Sequence, residues 1–216
     1  MRITIFTDND KSWFVPYGGR LRDKLAEIGH EVGYFFDKKL IPSGDLCFLL
    51  SCSRLIEQEF LERNRHNIVV HASDLPKGKG FSPLQWQVLE GKHEIVLTLF
   101  EATPQADAGP YYLKERVEFD GSELLPELRE RMAEKLIGMC LTYAANSSAM
   151  APVLQKGDET FYPKRSAKDE ELDVNKTLAQ LFNQLRISDN ERFPAFFRMK
   201  GKKYIVKIYK DTRESP

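Results

Sequence analysis

Two short, wholly apolar runs constrain this chain most: Leu46 to Leu50 and Ile68-Val69-Val70. A strand with one wet face alternates apolar and polar residues; a run that is apolar throughout belongs to a strand covered on both faces. Parallel strands need a crossover between them, usually a helix, and helical spacing is present. Leu21, Leu25 and Ile28 follow an N-terminal strand at Arg2 to Thr7, with Gly29 as the stop. Glu31 to Phe36 reads as a second strand, Pro42 to Asp45 as a turn and Leu55 to Leu61 as a short amphipathic helix. The alternation predicts an α/β fold with a mostly parallel sheet and helices on both faces. In such sheets ligands bind beyond the carboxyl ends of the strands. Asp8, Ser51 and His71 fall at those ends.

Further along, Glu94 to Phe100 reads as a strand. Leu124 to Leu141 is the longest helical pattern, with Leu125, Leu128, Met132, Leu136 and Met139 on one side. Ala144 to Gly157 reads as a linker. After it come a helix over Asn175 to Leu185 and a hairpin over Ala195 to Tyr209, turning at Lys200-Gly201-Lys202. The expected organisation is a main domain over 1–150 and a small α+β extension over 151–216. That extension is too short to fold well alone and is expected to pack on the main domain.

Lysine plus arginine and aspartate plus glutamate both number 32, so the formal net charge is zero. A nucleic-acid partner calls for a basic surplus or a strongly basic face, so none is expected. No apolar run reaches the roughly 18–20 residues of a membrane span. The first residues enter a strand with no secretory pattern, which gives the expectation of a cytoplasmic protein. Cys47, Cys52 and Cys140 sit in apolar stretches and read as free thiols, and their spacing matches no recurrent metal site.

The chemistry-bearing stretches are two loops. One runs from His71 through Ser73, Pro76, Lys77, Gly78, Lys79 and Gly80 to Pro83; the other runs from Thr98 to Pro110 and contains Asp107-Ala108-Gly109. Glycine and proline at this density fix loop shape and let backbone approach a ligand, and either loop also reads as an ordinary solvated turn. An Asp107–His71 pair across neighbouring strand ends would orient the imidazole and stabilise its protonated form.

Together these loops resemble those of the folate-dependent formyltransferases, a family that includes methionyl-tRNA formyltransferase, glycinamide ribonucleotide formyltransferase and the sugar N-formyltransferases. The matches are His71, Ser73, Leu75-Pro76, Gly80, Pro83, Trp86, Gly91 and Asp107-Ala108-Gly109, and the resemblance covers about residues 46–142. It implies a Rossmann-like formyltransferase fold, 10-formyltetrahydrofolate as formyl donor, and His71 and Asp107 as catalytic residues. The segment Leu49-Leu50-Ser51-Cys52-Ser53 resembles the family's pterin loop, so Leu49, Leu50, Ser51, Ser53 and Asp107 are the implied folate contacts. Tyr162 to Arg165, Asn183 to Arg186 and Phe193 to Phe197 resemble the post-catalytic segment of the sugar N-formyltransferases. Lys77, Lys79, Lys164 and Arg165 read either as diphosphate contacts or as solvated surface charge, and Phe196 and Phe197 either as a stacking surface for a base or sugar or as hairpin core. The expected acceptor contacts are Ser73, Lys77, Lys79, Arg165 and Phe197.

The sequence departs from the family in two ways: the region before His71 is shorter than usual, and one key position differs. The asparagine two residues before the histidine, which polarises the formyl group, is Val69 here. Asn67 is four residues ahead of His71, too far back along a strand to replace it. The expected function is formyl transfer to the amine of a small acceptor, a nucleotide-linked amino sugar first. Val69 keeps two rivals in view: a binding protein that has lost turnover, and a formyltetrahydrofolate hydrolase. The oligomeric state, a homodimer among the options, is not set by the sequence.

Overall fold

The computed structural model describes residues 1–211; residues 212–216 of the expected extension lie outside it. Its elements, in chain order, are β1 (Arg2–Phe6), α1 (Val15–Glu27), β2 (Glu31–Phe35), β3 (Gly44–Leu49), α2 (Gln58–Leu61), β4 (Asn64–His71), β5 (Lys79–Gly80) and α3 (Pro83–Leu89). They continue with β6 (Glu94–Glu101), β7 (Tyr111–Glu118), α4 (Leu125–Asn146), β8 (Phe161–Tyr162), α5 (Leu178–Arg186), β9 (Ala195–Met199) and β10 (Lys202–Val206).

A six-stranded sheet in the order β2-β1-β3-β4-β6-β7 forms the centre. The first four strands are parallel, whereas β6 and β7 run antiparallel to their neighbours. Period-two alternation explains why the apolar runs must be covered twice. Leu46, Phe48 and Leu50 enter one core with Ile3, Ile5 and Ile68, beneath α1, α3 and α4. Cys47 and Leu49 enter a second core on the other face, with Phe6, Ile41, Ile56, Phe60 and Leu61. Each fully buried aliphatic side chain contributes roughly 1.5–3 kcal/mol, so a shift of register by one residue would exchange both cores at once. The fold class is therefore the α/β one expected. Among the described residues no helix is long and apolar enough to cross a membrane.

Several elements differ from the sequence reading, which lacks helix α3 and the short strands β5 and β8. Only Gln58–Leu61 of the expected helix at 55–61 is helical. The residues before it are held open because the Asp8 carboxylate accepts the backbone N–H groups of Ser53 and Arg54. Helix α4 continues five residues past Leu141, since Tyr143 and Ala144 are also buried. Strand β7, not anticipated at all, pairs along β6.

The C-terminal segment is keyed into the rest of the chain. Strand β8 pairs with β5, Trp86 Nε1 donates to the Pro163 carbonyl, and Tyr162 stacks on Trp86. Arg186, 1 % exposed, donates to the Glu123 carbonyl. Arg129 on α4 pairs with Asp189 at 3.0 Å and lies over the Trp13 ring. Burial works against ionisation of Asp189, but the backbone N–H groups of Arg192 and Glu191 and the Arg129 guanidinium outweigh it and hold the carboxyl below its usual range. A depressed carboxylate stabilises the fold above its unfolded pKa, about 3.9, and that contribution disappears as pH falls through the folded value. Asp189→Asn should therefore unfold at lower urea than wild type at pH 7, and the gap should close below about pH 4. A gap that is constant from pH 7 to pH 3 would contradict this assignment.

Candidate active site

The parallel strands β1, β3 and β4 deliver their carboxyl ends to one edge. Beyond β1, Asp8 Oδ2 accepts Ser53 N at 2.7 Å, Ser53 Oγ at 2.9 Å and Arg54 N at 3.0 Å. Ser51 takes a left-handed backbone, φ 56°, and its hydroxyl lies 2.9 Å from that of Ser12. The side chains of Leu49 and Leu50 are buried in the two opposite cores, so only their backbone faces the edge. Cys52 is pushed up to about 12, chiefly by burial and then by Asp8, and stays a neutral thiol beside this loop.

His71 ends β4 almost fully buried. Its Nε2 lies 2.8 Å from the Gly78 carbonyl. A carbonyl only accepts, so Nε2 carries the hydrogen and the neutral ring keeps its lone pair on Nδ1. That nitrogen faces Asp107 Oδ1 at 3.8 Å, beyond hydrogen-bond distance. The other oxygen, Asp107 Oδ2, accepts Gly80 N at 2.8 Å.

The route by which Asp107 arrives differs from expectation. Because β6 is antiparallel to β4, Thr98 lies opposite His71 and the strand end Glu101 lies opposite Ile68. The 102–110 loop must double back to reach the imidazole. It does so with Asp107 at φ 50° and with Gly109 pressed against the Glu101 carbonyl, where any Cβ would collide. The pair therefore comes from a returning loop, not from two neighbouring carboxyl ends.

The formyl transferase family model matches residues 38–139. Methionyl-tRNA formyltransferase of Mycoplasma capricolum is 30 % identical over 163 residues, which is 73 % of this chain and 51 % of that protein. The chain belongs to the formyltransferase family. It spans about half the length of the curated relatives it matches. Among solved structures, methionyl-tRNA formyltransferase from Clostridium thermocellum superposes with a TM-score of 0.82 at 19 % identity, covering 99 % of this chain and 95 % of that one. HypX from Aquifex aeolicus in complex with tetrahydrofolic acid gives 0.81 at 20 % identity, covering 96 % and 37 %. A sugar N-formyltransferase from a Shewanella species gives 0.74 at 15 % identity, covering 99 % of each chain. At these identities the structural likeness is one of fold.

The remaining expected site residues are distributed unevenly. Lys77 is exposed on the His71 loop. Lys79, expected at a phosphate, is instead 1 % exposed and paired with Glu159 at 2.5 Å. Arg165 is consumed by Glu170 at 2.7 Å and by the face of Trp86. Phe197 stacks on Tyr204 within the hairpin and packs on the small core of Leu172, Leu181, Leu185 and Ala195. Ser73 is buried beneath Gly78 with its hydroxyl unpartnered. Lys79 and Ser73 fill internal positions that sequence spacing does not reveal, whereas Phe197 is half-buried and Arg165 keeps one buried nitrogen, Nη1, without a partner. Asn67 is structural, its amide donating to the Leu61 carbonyl at 2.8 Å. Val69 packs on the second core, on the His71 side of β4.

Sequence reasoning missed the segment after α4. Val153 exchanges backbone hydrogen bonds with Tyr111. Gln155 Nε2 donates to the carbonyls of Asp107 and Gly109, and Thr160 Oγ1 accepts from Gly78 N. No periodicity marks these residues, since they contact loops rather than a core. The returning loop gives a direct test. Gly109→Ala should destabilise the protein by about 1–3 kcal/mol through forced displacement of packed backbone. A urea midpoint equal to wild type would mean that the loop does not press on the Glu101 carbonyl as described.

Proposed function

We propose that this chain is an N-formyltransferase carrying a formyl group from 10-formyltetrahydrofolate to the amine of a small acceptor, with a nucleotide-linked amino sugar as the first candidate. The observation that carries the reading is His71 with Nε2 anchored on the Gly78 carbonyl and Nδ1 open toward Asp107. The donor's chemistry is an activated one-carbon acyl group. His71 Nδ1 takes the proton that the attacking amine must lose. Asp107 favours the imidazolium so formed and, through Gly80 N, keeps the loop in place. The donor fits the residues present. The 51–54 loop lies against Asp8, whose Oδ1 is buried without a partner and suits the N–H groups of a pterin. Ser51, Ser53 and the backbone of Leu49 and Leu50 would border the folate there, and no metal is required.

The support for a small acceptor is the zero net charge. The alignment does not choose, since the methionyl-tRNA and sugar formyltransferase structures both match this chain along nearly their whole length. The names of the curated relatives favour methionyl-tRNA instead, which is the second reading. Lys77 and Lys164 remain exposed for an anionic acceptor. The free thiols suit a reducing compartment, in line with a cytoplasmic enzyme.

The test is formyl transfer measured with a panel of nucleotide-linked amino sugars and with methionyl-tRNA. Release of tetrahydrofolate that depends on an amine supports transfer; release without any amine indicates the hydrolase. His71→Ala should lower turnover by about 10²–10⁴-fold while the protein stays folded. Turnover within a few-fold of wild type would remove His71 from the mechanism.

The valine supplies a second measurement. Val69→Asn presents an amide on the His71 side of β4, and one aligned donor to a developing oxyanion is worth roughly 2.7–4 kcal/mol. In an enzyme that already has its donors the change should add little and should cost stability by burying an unpaired amide. An inactive wild type beside an active Val69→Asn protein would instead identify a binding protein that has lost turnover.

A further inference from the structure

The segment between α4 and β8 touches neither ring nitrogen of His71 nor the carboxylate of Asp107, yet it grips the backbone of both loops that carry them. Gln155 Nε2 reaches the Asp107 carbonyl at 3.0 Å and the Gly109 carbonyl at 2.7 Å. Those carbonyls flank Ala108, at the point where the loop is held back by the left-handed Asp107 and the close approach of Gly109 to Glu101. Such a backbone persists only where its surroundings over-determine it. Five residues on, Thr160 Oγ1 accepts Gly78 N at 2.8 Å and the Thr160 carbonyl accepts Lys79 N at 2.9 Å. Gly78 is the residue whose carbonyl fixes the hydrogen on His71 Nε2. Strand β8 then continues the grip, the Tyr162 carbonyl accepting Phe81 N at 3.1 Å.

We infer that residues 153–162 form a strap that tunes the base, with Gln155 setting the position of Asp107 and Thr160 setting the tautomer of His71. The inference rests on the reading of His71 as the proton acceptor. Both are positioning residues. If Thr160 releases Gly78, its carbonyl is no longer held against Nε2, and the ring hydrogen is free to move to Nδ1, the atom that must accept the proton. If Gln155 releases the 107–109 backbone, the loop relaxes and Asp107 leaves Nδ1. The groups facing the imidazole are Asp107 on the 102–110 loop and the Gly78 carbonyl on its own loop, so the strap reaches both polar neighbours of the ring. It anchors itself away from the site, through the Val153–Tyr111 backbone pair and the Lys79–Glu159 ion pair.

The experiment is ¹⁵N NMR of the histidine rings in the full chain, with His71→Ala assigning the signal among the four histidines. Wild type should show neutral His71 as the Nε2–H tautomer. Thr160→Val should convert it to a mixture of tautomers, and Thr160→Ser should restore it. Gln155→Met keeps the side-chain length without the donor. It should leave the tautomer alone but move the His71 titration, and it should do nothing further in an Asp107→Asn background. In formyl transfer, Gln155→Met should lower kcat on the order of 10²-fold, as a misplaced catalytic group does, with KM for the acceptor unchanged. If Thr160→Val does not fold, Thr160→Ala takes its place; Gln155→Asn does so for Gln155→Met. A wild-type tautomer and titration in both Thr160→Val and Gln155→Met would overturn the inference. The altered tautomer in Thr160→Val and the altered titration in Gln155→Met, beside a wild type that transfers no formyl group, would uphold the strap and overturn the function proposed above.

Discussion

The Asp107 carboxylate is the junction on which the candidate site depends. One oxygen holds Gly80 N and the other faces His71 Nδ1, so a single side chain ties the 102–110 loop to the 72–82 loop. This requires a left-handed aspartate, a conformation that costs an L-residue roughly 1–2 kcal/mol, least for Asp and Asn. The cost is offset by hydrogen bonds around it: Gln155 on the carbonyls of Asp107 and Gly109, and the Val153–Tyr111 pair closing the loop. Remove those and nothing in β6 would send the chain back toward His71, because the strand runs the other way.

Charge is spent inside the molecule. Lys79, Arg129, Arg165 and Arg186 each have an acidic partner, and each is largely buried. Removing one partner of such a pair strands the other without water, whereas an exposed pair contributes little. These cations therefore hold the C-terminal segment against α3 and α4 instead of forming a phosphate site. Of the four cations expected at an anionic acceptor, Lys77 and Lys164 are the exposed ones.

The sheet was readable because burial on two faces writes itself into the chain. Leu46–Leu50 and Ile68–Val70 gave the central strands, and Leu21/Leu25 and the leucines and methionines of α4 gave the covering helices. Strand β7 escaped because its middle residues are charged and only Val117 is deeply buried. The shortened α2 escaped because Leu55 to Glu57, though at helical spacing, continue a loop whose Ser53 and Arg54 N–H groups are bound by Asp8 from another part of the chain. His71 and Asp107 were visible as loop residues of the right type. Gln155 and Thr160 were not, since a polar residue that serves a distant loop leaves no period in its own segment.

By itself the sequence determined the layered α/β fold, the strand end that carries His71, and the loop that carries Asp107. Tertiary structure alone decided that β6 is antiparallel, that its loop must therefore return, and that the segment after α4 holds both loops. It also decided that Lys79, Arg165 and Phe197 face inward. The physical reason is the range of the forces. Hydrophobic periodicity is a local record of which face is buried. The pairing of a backbone carbonyl with an amide fifty residues away, or of a cation with its one buried carboxylate, exists only once the chain has brought them together.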